Sequence, residues 1–399
     1  MMKLLIISHA LIKEVNQRRW RTMAVDHEID IRILIPEQWY NPHFGEEGAY
    51  LHGHACKSNR FEVCTVPTTS QSDHTQYRIR NLRQHLQDFR PDVIFCIHEE
   101  GLSAHRQTIV DRKLFLPHAV LIYFSMRVFP RVPAFPPYTL KQGIKRIVYG
   151  SDWRLTCFGT DAALVHYPGI EMQMRAEGYQ KRILHQTQIG VDPELFHPDA
   201  TVREQVRLEQ GWHANELVIG TSGRLVAEKG MFELLHAVER LKGRWRLVLV
   251  GDGPDRPKIE DYALHQGLRD RVHVTGYVSQ EEVARLMQGM DIFTLGSINT
   301  PTWVDTFPLV VAQAMATALP VVGSGSGAIP YQLDDKGLVF HEGCIDEWVI
   351  HLQHLMDHPE LRRRMGAELQ ARALTTFAIK SMNQQFILFC EALRHAAHE

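Results

Sequence analysis

Gly220-Thr221-Ser222-Gly223-Arg224-Leu225-Val226-Ala227-Glu228-Lys229-Gly230 is the stretch from which the fold is read. An apolar run that begins at Leu217 ends in glycine, Arg224 and Lys229 follow, and a helical pattern then starts. A glycine lets the backbone approach an anion, and the start of a helix offers unpaired N–H groups. Arg224 and Lys229 can neutralise a diphosphate, so the unit reads as a strand, an anion-binding turn and a helix. The same residues also suit an ordinary surface pair of Glu228 and Lys229 at a helix start.

Outward from this unit, strand-like runs recur with helical patterns between them. On the C-terminal side they are Trp245 to Gly251, Val272 to Tyr277, Asp291 to Leu295, Pro320 to Gly323 and Leu338 to Phe340. On the N-terminal side they are Lys3 to His9, Asp30 to Pro36, Asp92 to His98, Ala119 to Phe124, Asp161 to Tyr167 and Ile183 to Ile189. Such alternation predicts α/β domains with parallel sheets covered by helices. Tyr50 to Thr65 interrupts the rhythm as an antiparallel hairpin. The two prolines of Val191-Asp192-Pro193-Glu194-Leu195-Phe196-His197-Pro198 mark a hinge. Two doubly wound, Rossmann-like domains are therefore expected, over 1–195 and 196–377. Phe377, Met382, Phe386, Phe389 and Leu393 have helical spacing, and a final helix at about 378–399 is expected to pack back on the first domain.

A second chemical signal is Trp303-Val304-Asp305-Thr306-Phe307-Pro308-Leu309-Val310-Val311-Ala312-Gln313, which runs on to Pro320 and a glycine-serine loop at Gly323-Ser324-Gly325-Ser326-Gly327-Ala328. Read as one helix, it puts Asp305 and Gln313 roughly 80° apart around the axis and about 12 Å apart along it. Two ends of one extended polar ligand would fit that spacing.

The bulk composition narrows the class. At 399 residues the chain exceeds one ordinary domain, and 44% hydrophobic with 23% charged residues is globular. A net charge of −2 leaves no nucleic-acid footprint. No apolar run reaches membrane-spanning length, the start reads as a first strand, and six scattered cysteines fit a reducing cytoplasm. Arg18-Arg19-Trp20-Arg21 and Lys141-Gln142-Gly143-Ile144-Lys145-Arg146-Ile147-Val148 mix cations with apolar side chains. They read as solvated helix faces, with peripheral contact to an anionic membrane as the alternative. His52, His54, Cys56 and Cys64 carry metal-ligand chemistry but are read as ordinary hairpin residues, with no metal expected.

Gly223-Arg224 with Lys229-Gly230, Val250-Gly251-Asp252-Gly253-Pro254, Val274-Thr275-Gly276-Tyr277-Val278 and the 303–330 block together resemble the large family 4 of retaining glycosyltransferases. That resemblance implies the GT-B fold, two Rossmann-like domains facing across a cleft. It implies transfer of a hexose from a UDP-sugar to a saccharide or lipid-linked saccharide, without a bound metal or other cofactor. UDP-glucose is the default donor and exopolysaccharide assembly the expected pathway. Arg224 and Lys229 would hold the diphosphate with Gly223 and Gly253 nearby, and Asp305 would face the transferred sugar together with Thr306, Phe307, Pro308 and Leu309. Gln313 would lie under the ribose, and Tyr277 and Val278 would meet the base edge. His98, Glu99 and Ser125 are the acceptor-side candidates. Asp305 and Gln313 replace the family's glutamates. The neutral Gln313 implies a weaker hold on the nucleotide, and Pro308, in place of the usual glycine, removes an N–H toward the sugar. Relatives commonly have a histidine where Phe124-Ser125-Met126-Arg127 stands. A nucleotide-sugar 2-epimerase, a hydrolase and a non-catalytic binding subunit are the rival readings.

Overall fold

Val120–Ser125 is buried at all six positions, and so are the four positions of Ala162–Val165. Strands without a wet face need helices on both sides, and that requirement produces the layered architecture of this chain. The computed structural model describes residues 2–41, 49–73, 77–97, 103–128 and 140–398, the side chains of 41, 49, 140–149, 397 and 398 excepted. It divides into two compact units, Met1–Ile189 with Met382–Glu399, and Gly190–Ser381.

The first unit holds β1 (Lys3–Ile7), β2 (Asp30–Pro36), β3 (Gln38–Asn41), β4 (Ala49–His52), β5 (Cys56–Ser58), β6 (Phe61–Val66), β7 (Val93–Cys96), β8 (Val120–Ser125), β9 (Ala162–Val165) and β10 (Arg182–His185). Eight of these form one sheet in the order β10-β9-β8-β7-β1-β2-β6-β5, parallel except for the edge pair of β5 and β6. The expected hairpin between Tyr50 and Thr65 is realised by β5 and β6, antiparallel with Ser58 opposite Phe61, while β4 pairs outside it. β3 pairs with β4 from Gln38 opposite His52, whereas β6 enters the main sheet in parallel with β2. His52, Cys56 and Cys64 are thereby distributed over β4, β5 and β6.

Arg19 and Trp20 correct the reading of their segment as a solvated or membrane-facing surface. Both are buried, at 1% and 0% exposure, on the helix Arg18–Asp26. Trp20 packs on Phe95 and Phe386, and the Arg19 guanidinium lies 4.6 Å from the Trp20 ring. The polar head of Arg19 is consumed by Thr187 O at 2.7 Å, Asn383 Oδ1 at 3.1 Å and Gln186 Oε1. The side chains of 141–149 fall outside the described residues.

The second unit holds β11 (Leu217–Ser222), β12 (Trp245–Val250), β13 (Val272–Val274), β14 (Ile292–Leu295), β15 (Val321–Ser324) and β16 (Leu338–Phe340). Their order is β13-β12-β11-β14-β15-β16, all parallel. This is the doubly wound order in which the direction of winding reverses between the first and fourth strands. A terminal helix, Ile379–His398, carries the chain from the second unit into the first, where Phe386, Cys390 and Leu393 join the core.

Candidate active site

In a doubly wound sheet, ligands bind beyond the carboxyl ends of the strands at the point where the winding reverses. In the second unit that point lies between β11 and β14. Gly223 and Arg224 leave β11 there, and Gly296 and Ser297 leave β14.

Lys229 and Asp305, 76 residues apart in sequence, meet at this point, with Lys229 Nζ donating to Asp305 Oδ2 at 2.5 Å. Ser297 Oγ donates to the same oxygen at 2.7 Å. The Lys229 ammonium also lies 5.3 Å from the Trp303 ring centroid, within cation–π range. Two glycines permit the assembly. Gly230 adopts φ +69°, and a Cβ there would sit 2.1 Å from Gly296 O, so the turn carrying Lys229 lies directly on the segment that carries Ser297. Gly327 adopts φ +52°, where a Cβ would sit 2.0 Å from Asp305 O, so the glycine-serine loop packs on the aspartate's backbone.

The ion pair is nearly dry: the side chains of Lys229 and Asp305 are 16% and 9% exposed. Arg224, by contrast, is exposed and forms no ion pair among the described residues. The site thus presents one uncompensated cation and one cation shared with a carboxylate. The alternative, a surface pair of Glu228 and Lys229, is not formed; Lys229 pairs with Asp305 instead.

Asp305 corrects the expectation of a single helix carrying both polar ends. The helix there is Leu309–Ala316, capped by Pro308 at φ −67°. Asp305, Thr306 and Phe307 therefore belong to the loop before it, and the angular and axial spacing to Gln313 derived for one helix does not apply. Gln313 is on the helix, 4% exposed, and its Nε2 donates to Gln280 Oε1 at 3.0 Å. Its Oε1 is buried without a hydrogen-bond partner. A buried acceptor left open costs about 1–3 kcal/mol, so a ligand hydroxyl at that oxygen would be stabilising.

The other predicted donor-side residues are less uniform. Gly223 N–H is committed to Val250 O at 2.9 Å and Gly253 N–H to Asp252 Oδ1 at 2.7 Å. The Phe307 ring packs edge-on against Phe377 at 5.4 Å, which makes its side chain part of the core. Thr306, Val278 and Leu309 are half-buried, and Pro308 is buried. Tyr277 is 88% exposed, next to the backbone bridge between Gly251 and Gly276. In the Gly325 to Ala328 loop, Gly325 N–H donates to Phe340 O and Ala328 N–H to Asp305 O, so two of its donors are already occupied. Among the described residues, the Ser326 and Gly327 amides of this loop have no backbone acceptor and are left for an anion.

On the first unit, Ser125 ends β8, fully buried, and its Oγ accepts from Arg127 N–H at 3.3 Å. His98 and Glu99 lie outside the described residues. Among the described residues no group of three His, Cys, Asp or Glu is arranged to hold a metal ion, and no helix is long and apolar enough to cross a membrane. Sequence reasoning missed Ser297, Trp303 and Gln280. Ser297 lies two residues beyond the end of β14, as Arg224 does beyond β11, so the polar residues just after each strand were the available signal.

Residues 202–372 match the family described as glycosyl transferases group 1. The chain is 28% identical over 319 residues to the sulfoquinovosyl transferase of Arabidopsis thaliana, covering 75% of this chain and 57% of that protein. It is 26% identical over 220 residues to the alpha-D-kanosaminyltransferase of Streptomyces kanamyceticus, covering 54% of this chain and 55% of that protein. The chain thus spans about half the length of the curated relatives it matches. Among solved structures, it resembles sucrose-phosphate synthase from Thermosynechococcus elongatus with a TM-score of 0.70 at 16% identity, over 99% of this chain and 100% of that one. It resembles Anabaena HepE in complex with UDP and glucose with a TM-score of 0.66 at 16% identity, over 98% of this chain and 100% of that one. The matched domain and the shared fold agree: residues 202–372 match the glycosyl transferases group 1 family, and the chain has the GT-B fold of the solved glycosyltransferases it resembles.

Proposed function

We propose that this protein transfers a sugar from a nucleoside-diphosphate donor to a saccharide or lipid-linked saccharide acceptor, with retention at the anomeric carbon and without a metal. The observation that carries the reading is the pair of cations at the reversal point of the second sheet, with Lys229 joined to Asp305 at 2.5 Å and Arg224 exposed beside the end of β11.

In this reading the bond from the anomeric carbon to the diphosphate breaks while the acceptor oxygen attacks from the same face. The acceptor proton passes to the departing phosphate oxygen, so no protein nucleophile takes part. Charge develops on the diphosphate, and fixed cations that bind it more tightly in the transition state lower the barrier. Lys229 exchanges part of its bond with Asp305 for the phosphate, and Arg224 supplies the unshared charge. Asp305 then accepts from a hydroxyl of the transferred sugar. Gln313 Oε1 takes a ribose hydroxyl, and the Tyr277 to Val278 backbone meets the base edge. His98, Glu99 and Ser125 are the proposed acceptor-side groups.

The uridine base and a gluco-configured hexose are the proposed donor, and HepE, solved with UDP and glucose, supports that choice by analogy of fold. An exopolysaccharide pathway and a cytoplasmic location, with contact to a membrane surface where the acceptor is lipid-linked, complete the proposal. The test is turnover of Arg224→Ala and Lys229→Ala, each expected to fall about a hundredfold or more. Unchanged turnover in both would remove the cradle from the mechanism. Free sugar or an epimer formed without acceptor would favour a hydrolase or 2-epimerase instead.

A further inference from the structure

Asp305 has the short side chain of the two acidic residue types, and Lys229 is attached by a long flexible stem. One ammonium at the end of four methylenes is a poor means of fixing the plane of a carboxylate. The second donor on the same oxygen is of a different kind. Ser297 is 0% exposed, two residues beyond the end of β14, and its own carbonyl oxygen accepts from Ser324 Oγ at 2.6 Å. Ser324 is the last residue of β15, the neighbouring strand, and is also fully buried. The Ser297 hydroxyl is therefore mounted on two paired strands of the sheet.

We infer that Ser297 is a positioning residue, whose hydroxyl fixes the Asp305 carboxylate through Oδ2 and leaves Oδ1 free for a hydroxyl of the donor sugar. The inference rests on the proposed reading of the site. Oδ2 carries both hydrogen bonds, from Lys229 and from Ser297, while Oδ1 takes none among the described residues. The two donors also respond differently to a ligand. A diphosphate competes with Asp305 for the partly exposed Lys229 ammonium, whereas the Ser297 hydroxyl, 0% exposed, stays with the carboxylate. As the donor binds and Lys229 turns toward phosphate, Ser297 becomes the bond that holds the aspartate in place. Its contribution is greatest when the sugar is bound, and it is expressed in kcat.

The experiment uses the full chain and release of nucleoside diphosphate from UDP-glucose, UDP-galactose or GDP-mannose, whichever wild type turns over fastest. Ser297→Ala, Ser297→Thr, Ser297→Cys and Lys229→Ala are compared with wild type. Ser297→Ala is expected to lose about ten- to a hundredfold in kcat, with the donor KM within about threefold. Ser297→Thr, which keeps the hydroxyl, is expected to recover most of that loss. The Ser324 bond goes to a backbone carbonyl and survives in every variant, so the melting temperature is expected to stay within a few degrees of wild type. Should the alanine variant fail to fold, Ser297→Cys supplies the same comparison with a weaker donor in a similar volume. Normal kcat in Ser297→Ala beside a dead Lys229→Ala overturns the positioning role and leaves the diphosphate cradle intact. Equal losses in the alanine and threonine variants overturn it also. Wild-type turnover in both Lys229→Ala and Arg224→Ala, or no turnover of any donor by wild type, removes the reading of the site and this inference with it. Wild-type turnover in Lys229→Ala alone overturns this inference, since Asp305 would then need no exchange of partners.

Discussion

Gln313 is the residue whose chemistry departs furthest from what the resemblance implies, because a neutral amide stands where relatives have a carboxylate. In the structure its carbonyl oxygen is buried and open, and its nitrogen is held by Gln280. A ribose hydroxyl donating to a carboxylate forms a charge-assisted bond, stronger by about 1 kcal/mol than one to an amide. Gln313→Glu is thus expected to tighten UDP binding about fivefold, measured by calorimetry, with Gln280 turning its own amide to donate. Unchanged or weaker binding would place the ribose elsewhere. At this scale the sequence was a good guide to which residues matter and a poor one to their partners. Arg224, Lys229, Asp305 and Gln313 were named from motifs alone. That Lys229 pairs with Asp305 across 76 residues, with Ser297 as a third member, depends on the order of strands in the sheet and on the backbone approach at Gly230, neither of which local spacing encodes.

Elements were legible where an apolar run marks them. β2 runs over Asp30–Pro36 and β16 over Leu338–Phe340, as their apolar runs predict, and the other strands of the expected series fall within a few residues of their predicted bounds. The failures have physical causes. Pro308 lacks the N–H that a helix interior needs, so the helix begins after it and Asp305 is left in the loop. The hairpin expected between Tyr50 and Thr65 is present as β5 with β6, but β6 also pairs in parallel with β2, a long-range partner that local sequence does not encode. His166, directly after β9, gives an element-scale prediction. Its ring packs edge-on against Phe124 at the end of β8, and burial lowers its pKa from the ordinary 6.5 to about 3. The folded pKa lies below the unfolded one, so the unfolded chain binds the extra proton between these values. Stability is full above about pH 6.5 and declines as the pH falls, by about 2 kcal/mol at pH 5 from this group alone. Denaturant midpoints taken between pH 7 and pH 5 should show that slope, reduced in His166→Phe. An equal slope in the variant would assign the acid sensitivity to other groups.

At the scale of the molecule, the chain passes from the first unit to the second after Ile189 and returns at Met382. Arg19 binds both of these places within the first unit, through Thr187 O and Gln188 O on the outgoing segment and Asn383 Oδ1 on the returning one. Asn383 Nδ2 donates back to Arg19 O at 3.2 Å, and Gln186 Nε2 donates to Met382 O at 2.9 Å. In the second unit the same two segments pair through backbone, Val191 N–H to Phe377 O and Ile379 N–H to Val191 O. Burial pushes the Arg19 guanidinium down to about 9, still cationic at neutral pH and held by neutral acceptors alone among the hydrogen bonds it makes. Arg19→Ala would orphan those acceptors and open a cavity, and is expected to destabilise the first unit by about 3 kcal/mol or more in denaturant unfolding. A loss below about 1 kcal/mol would show that water replaces the guanidinium freely. None of this was visible in Arg18-Arg19-Trp20-Arg21, because a cation beside a tryptophan looks the same whether the surface beneath it is solvent or the far end of the chain.

The central claim is that Arg224 and Lys229 grip a diphosphate where the second sheet reverses its winding. A crystal structure of the full chain with UDP bound tests it most directly. The account predicts both phosphates within hydrogen-bonding distance of the Arg224 guanidinium and the Lys229 ammonium, with the bond from Lys229 to Asp305 lengthened and that from Ser297 to Asp305 kept. Nucleotide density remote from either cation, or an unaltered pair of Lys229 and Asp305 beside a bound diphosphate, would contradict it.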